Sequence, residues 1–247
     1  MHEPEPARSF RPRPSRLGAG IPGRIAATAM AGFIAIHALH LAGLPGETEA
    51  WLAASALYLL GCLAVALLMR RGYPHDRLGG CNVVTLLRGA LVCALLPPLH
   101  ASGTAGWAVA AVGGTALALD GVDGWLARRS GLASGFGARF DMEVDAALAL
   151  VLALHALADG VVGAEVLLLG LIRYAFLVAG WLRPWLRAPL PQRFRRKLVC
   201  VVQLTVLVAL QLPVMPPEAA IWATRAVAVA LLWSFATDIR WLARHRG

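Results

Sequence analysis

Eight apolar runs dominate this chain, at residues 25–44, 50–69, 82–99, 103–126, 138–158, 160–182, 198–213 and 218–238, with short breaks rich in Gly, Pro or charge between them. A hydrocarbon layer about 30 Å thick is crossed by about 20 helical residues, so most of these runs are long enough to span it. Backbone groups in hydrocarbon must satisfy their own hydrogen bonds, which leaves only helices or a closed barrel. The runs are continuous, not alternating, and eight Trp against three Tyr suit helices with interfacial anchors better than a barrel's aromatic girdles. Hydrophobic residues make up 58% of the 247 and charged residues 15%, whereas a soluble domain carries about 25% charged. The expected fold class is an all-α polytopic membrane helical bundle.

The net charge of +9 would suggest nucleic acid in a soluble chain, but its placement argues otherwise. All but two of the 23 Lys and Arg lie in the N-terminal tail, in or beside alternate connections, or at the C-terminus; the exceptions are Arg173 and Arg225. The intervening connections LAGLPGETEA, PPLHASG, ADGVVGAE and LPVMPPEAA carry none. Under the positive-inside rule this predicts a multi-pass inner-membrane protein with both termini cytoplasmic, and nucleic acid is excluded as a partner. Residues 1–24, rich in Pro and Arg, are expected to be a disordered cytoplasmic tail. The apolar stretch that follows is longer than the 7 to 15 residues usual in a signal peptide. Cys62, Cys81, Cys93 and Cys200 are scattered without metal-binding or disulfide spacing and read as core filler.

The chemistry concentrates in LALDGVDGWLARRSGLASGFGARFDMEVDAALAL. Asp120, Gly124 and Arg128 fall at i, i+4 and i+8 on one helical stripe with Asp123 and Ala127 beside them, and Gly137, Asp141 and Asp145 repeat the spacing after a Gly and Ser rich bend. Glu143 points elsewhere. Intramembrane carboxylates cost about 2.5 to 3.5 kcal/mol each and default to function. Four converging from two helices at the cytosolic boundary need compensating cations, and hard divalent ions that share their shell with substrate phosphate fit best. The small residues let an anionic group approach the backbone, and Arg128 offers phosphate a positive fork. The chemistry implied is phosphoryl transfer with two ions clamping a diphosphate and one carboxylate taking a proton from the attacking hydroxyl. Helix capping with local ion pairs accounts for one or two such acids, not four in register.

This run resembles the full signature of the CDP-alcohol phosphatidyltransferase family, D-x2-D-G-x2-A-R-x8-G-x3-D-x3-D, at every fixed position and gap. The resemblance implies a six-helix catalytic core over residues 78–242, preceded by two additional transmembrane helices within 25–70. It implies that Asp120, Asp123 and Asp141 ligate two divalent cations, Mg²⁺ or Mn²⁺, and that Asp145 is a shared ligand and the general base. Gly124, Ala127, Arg128 and Gly137 would line the CDP site. The implied reaction moves a phosphatidyl group from a CDP-alcohol such as CDP-diacylglycerol to a small polar alcohol, releasing CMP, in phospholipid biosynthesis; members are commonly homodimers. Two other readings are an intramembrane prenyltransferase, whose acidic motifs lie on well-separated helices, and an ion or metal carrier, which would need carboxylates through the bilayer.

Further residues support the same reading. Asn82, Thr85 and Arg88 form a polar stripe opening the third run and are similar to the family's P-N-x2-T-x2-R entry, with Cys81 in place of Pro; they are expected to contact nucleotide or phosphate. Arg173, deep in its run, is expected to bind the acceptor or its phosphate. In the basic loop ending at Lys197 the family's K-x-K-T-x2-Q pattern is matched only by Lys197 and Gln203, so the acceptor stays open between phosphorylated and plain alcohols. The loop's other charges are expected to meet membrane lipids. Arg225 is expected to reach the interface, His155 to be a satisfied core residue, and Trp51, Trp107, Trp181, Trp185, Trp222 and Trp241 to anchor at the two interfaces.

Overall fold

The structure, a computed structural model, describes residues 20–101, 106–188 and 194–245. Eight helices carry them: α1 (Ile21–Leu41), α2 (Thr48–Gly72), α3 (Gly80–Ala94), α4 (Gly106–Ser130), α5 (Gly135–Asp159), α6 (Val166–Leu182), α7 (Phe194–Ala209) and α8 (Pro217–Arg244). Short 3-10 turns follow α3 at Pro97–His100 and α6 at Pro184–Arg187. No strand occurs among the described residues, and the fold is the expected all-α membrane bundle.

Each apolar run has its helix, and the displaced boundaries have local causes. The first helix starts at Ile21 with Pro22 in its first turn, where a missing N–H costs nothing. Residues 1–19 of the expected tail lie outside the described residues. The sixth run begins on paper at 160, yet α6 starts at Val166, because Gly160 adopts φ +77° and ends α5. Helices α1, α2, α3 with its 3-10 extension, and α8 are long and apolar enough to cross a membrane. The 17-residue α6 is apolar but shorter, and α4 and α5, 25 residues each, interrupt their apolar stretches with the acidic motif.

In the outer helices α1 and α8 the buried positions run in steps of three and four, whereas α3 and α5 are buried on several faces. In α8 they are Ala220, Thr224, Val227, Leu231, Ser234, Asp238 and Leu242, a single stripe facing the bundle. The opposite faces are apolar and bare: Leu41 is 85% exposed, Leu60 63% and Leu182 75%. Such surface suits acyl chains, not water. Buried hydroxyls turn back on their own helices, as Thr28 does to the Arg24 carbonyl at 2.8 Å and Thr224 to Ala220 at 2.8 Å.

The fourth to eighth helices share one apolar core with the end of α3. The first two pack on α3 around a second cluster that includes Ile21, Tyr58, Met69, Tyr73 and Leu86 and reaches Phe136 and Phe140 of α5. Trp51 belongs to that cluster. It is 1% exposed and packs on the His40 ring at 4.8 Å, so it is a core residue and not the interfacial anchor expected. Trp107, Trp181 and Trp222 are exposed, as anchors require. His155 is held by the Leu95 carbonyl at 2.7 Å, and Arg225 reaches Glu165 at 3.6 Å from an exposed position.

α5 and α6 meet at Gly170, where an added Cβ would lie 2.8 Å from the Leu150 Cα and 3.1 Å from the Ala153 Cβ. Gly170→Ala must push the two helices apart and is expected to cost about 1–3 kcal/mol, read as a lowered thermal unfolding temperature in detergent. Gly89→Ala, with nothing within 4 Å of the new methyl, is the control and should hold or raise that temperature.

Candidate active site

The acidic motif is delivered by two helices and the bend between them. Gly131, at φ +67°, turns the chain out of α4 in a conformation that favours glycine. Ser134 then caps α5, its hydroxyl accepting from the Gly137 N–H at 3.0 Å. Helices α4 and α5 touch each other only sparsely; α3 packs against both and forms the third wall of the site. Asp120 and Asp123 come from the C-terminal half of α4, Asp141 and Asp145 from the first turns of α5.

Arg88, near the middle of α3, gathers all four. Its Nη1 lies 3.2 Å from Asp120 Oδ1, 2.9 Å from Asp123 Oδ2 and 2.5 Å from Asp141 Oδ1, while Nη2 donates to Asp145. Nε donates to the Ala116 carbonyl at 3.1 Å. The arginine side chain has 0% exposure. The sequence predicts that Arg88 touches nucleotide or phosphate; in the structure it is the buried counter-ion of the acidic cluster. Its stripe with Asn82 and Thr85 signalled that it faces the site, but its partners come from two other helices.

One guanidinium against four carboxylates leaves three formal negative charges in a half-buried site. Carboxylate oxygens of Asp120, Asp141 and Asp145 all lie within 4.8 Å of one another, which suits the oxygen-rich shell of a hard divalent cation. Asp123 is 3% exposed and also meets the Thr85 hydroxyl at 3.3 Å. The residues present therefore fit a divalent metal centre in charge, atom type and spacing.

A half-open cavity of about 160 Å³ adjoins the cluster, lined in part by Asn82, Thr85, Asp123, Gly124, Gly137 and Asp141. These belong to the motif and to the polar stripe, so the fold brings the two sequence features to one place. Arg128 is exposed one turn beyond Gly124 and makes no ion pair among the described residues. The side chain of Ala127 lies outside the described residues. The expected acceptor residues do not line this cavity: Arg173 pairs with Glu143 at 2.5 Å, Lys197 is exposed, and buried Gln203 donates to the Leu169 carbonyl at 2.5 Å. Arg195 and Arg196 of the basic loop engage Asp238 at 2.9 and 3.8 Å.

No curated protein and no solved structure matches the chain. Residues 80–236, which hold the whole acidic run and the Asn82 stripe, match the family model described as CDP-alcohol phosphatidyltransferase. A membrane helical bundle, a clustered set of aspartates fit for divalent metal, and a match over more than half of its length agree: the chain belongs to the CDP-alcohol phosphatidyltransferase family, which are metal-dependent phosphotransferases acting on CDP-alcohols.

Proposed function

We propose that this protein transfers a phosphatidyl group from CDP-diacylglycerol to a small polar alcohol and releases CMP, in phospholipid biosynthesis at the cytoplasmic face of the cell membrane. The observation that carries this reading is the convergence of Asp120, Asp123, Asp141 and Asp145 beside a cavity lined by small and polar side chains. Orientation rests on the charge pattern, since the basic connections lie at the same end of the bundle as the motif.

The acceptor oxygen attacks the phosphorus that carries the diacylglycerol; the bond from that phosphorus to the CMP phosphate breaks, and CMP leaves. Asp145 takes the acceptor's hydroxyl proton. Asp120, Asp123 and Asp141 would hold the cations, with Asp145 shared between them. Bound Mg²⁺ or Mn²⁺ supplies charge neutralisation at the diphosphate and at the departing phosphate. Arg88 holds the carboxylates at fixed spacing, so the site is organised before substrate enters. Gly124 and Gly137 leave room at the cavity wall, where a Cβ on Gly137 would meet Asn82 Oδ1 at 2.9 Å. Arg173, whose Nε is buried without a partner among the described residues, favours an acceptor that carries phosphate, with Lys197 and Gln203 as further acceptor-side residues.

The test is the exchange that CMP drives by reversal of the reaction, between radiolabelled CDP-diacylglycerol and the phosphatidyl lipids of membranes holding the protein, with and without Mn²⁺ or Mg²⁺. Metal-dependent exchange supports the reading; its absence with folded protein and both metals overturns it. A screen of candidate alcohols scored by lipid product mass then names the acceptor. Arg128→Ala is expected to raise the KM for the CDP-alcohol about tenfold by removing a charge-assisted contact, measured by initial rates over a donor series, and an unchanged KM would remove Arg128 from the donor site.

A further inference from the structure

The family match begins at residue 80, and the segment that leads into it, residues 73–79, joins α2 of the added N-terminal hairpin to α3. This segment is built onto the donor cavity. Tyr73, 1% exposed, directs its hydroxyl into a saturated set of hydrogen bonds: it donates to the Arg77 carbonyl at 3.1 Å and accepts from the Gly79 N–H at 3.2 Å and from Asn82 Nδ2 at 3.1 Å. A phenol has one proton and two lone pairs, so nothing is left over. The ring packs edge-on against Phe136 of α5 at 6.2 Å, the residue before Gly137. Two further ties fix the segment: His75 meets the Ala133 carbonyl at 3.2 Å in the α4–α5 bend, and Arg24 of α1 donates to the Leu78 carbonyl at 3.2 Å.

The consequence falls on Asn82. With Nδ2 committed to Tyr73, the amide has one orientation, and Oδ1 lies on the Gly137 side, where the cavity is. Among the described residues Oδ1 accepts no hydrogen bond. Asn82 therefore turns its acceptor oxygen toward the cavity, with its nitrogen held on the Tyr73 side. An amide free to flip would offer either.

We propose that Tyr73 is a positioning residue of the donor site: it locks the Asn82 amide so that its oxygen receives a hydroxyl or amino group of the CDP-alcohol's nucleoside half, and the α1–α2 hairpin is the brace that holds Tyr73 there. This rests on the reading of the cavity as the CDP-alcohol site. Residues outside the family match thus shape donor recognition within it.

The test uses the full chain in detergent or nanodiscs, with CMP as the binding probe and CDP-diacylglycerol as the donor. Tyr73→Phe keeps the ring and its packing and removes only the hydroxyl. It is expected to raise the KM for CDP-diacylglycerol and the Kd for CMP about fivefold, one net hydrogen bond, with kcat within about twofold. Its unfolding temperature is expected to stay within about 4 °C of the parent. Asn82→Ala is expected to raise both constants about tenfold, and Tyr73→Phe combined with Asn82→Ala to be no worse than Asn82→Ala alone, because both changes remove one interaction. Unchanged constants in Tyr73→Phe, or additive effects in the double variant, overturn the proposal. A loss of kcat with KM unchanged overturns it too, since that is the mark of general loosening. If the parent protein binds no CMP, the donor-site reading itself fails, and the proposal with it.

Discussion

Asp145→Asn is expected to abolish CMP-dependent exchange while leaving an inserted, folded protein. The substitution keeps the shape of the side chain and an oxygen that can accept from Arg88 Nη2, so the packing of α5 on α3 has no reason to fail. It removes the ability to take up a proton, and positioned general bases contribute about 10²–10⁴-fold. The loss of one ligand charge adds to that, so a fall of about 10³-fold or more is expected in exchange rate at saturating metal and donor. Exchange within about tenfold of the parent would move the base to another residue.

Arg88→Met is expected to have the largest effect on stability. The guanidinium is fully buried and meets carboxylates from two helices, so its removal leaves four like charges facing one another across the junction of α3, α4 and α5. Removing one partner of a buried ionic set costs about 3–5 kcal/mol. Thermal unfolding in detergent without divalent metal should fall accordingly, and added Mn²⁺ should restore part of the loss, because a cation bound only by the folded state stabilises it by mass action. A metal-free unfolding temperature equal to the parent's would mean that the four carboxylates do not depend on Arg88.

Much of this is legible in the residues before any fold is seen. Continuous apolar runs and Gly or Pro breaks locate eight helices, because in a bilayer a segment's own hydropathy settles most of what it does. Spacing along α4 and α5 places the acids on common stripes because helical periodicity is local. Arg88 was legible only as a polar position on α3. That it binds four aspartates depends on how three helices meet, and nothing in a single helix's periodicity states that. The same holds for Arg173, which the sequence offers to the acceptor and whose pairing with Glu143 only the fold reveals, and for Trp51, whose residue type suits a membrane interface but whose place against His40 is set by the α1–α2 packing. Tyr73 carries no motif at all; its hydroxyl matters only because the loop folds back over Asn82.

The central claim is that the four aspartates hold a pair of divalent cations. Titration of the purified, metal-stripped protein with Mn²⁺, followed by electron paramagnetic resonance, tests it most directly. Two ions per chain with mutual spin coupling are expected, with coupling lost in Asp141→Ala; binding that leaves the ions uncoupled, or that Asp141→Ala does not change, would contradict it.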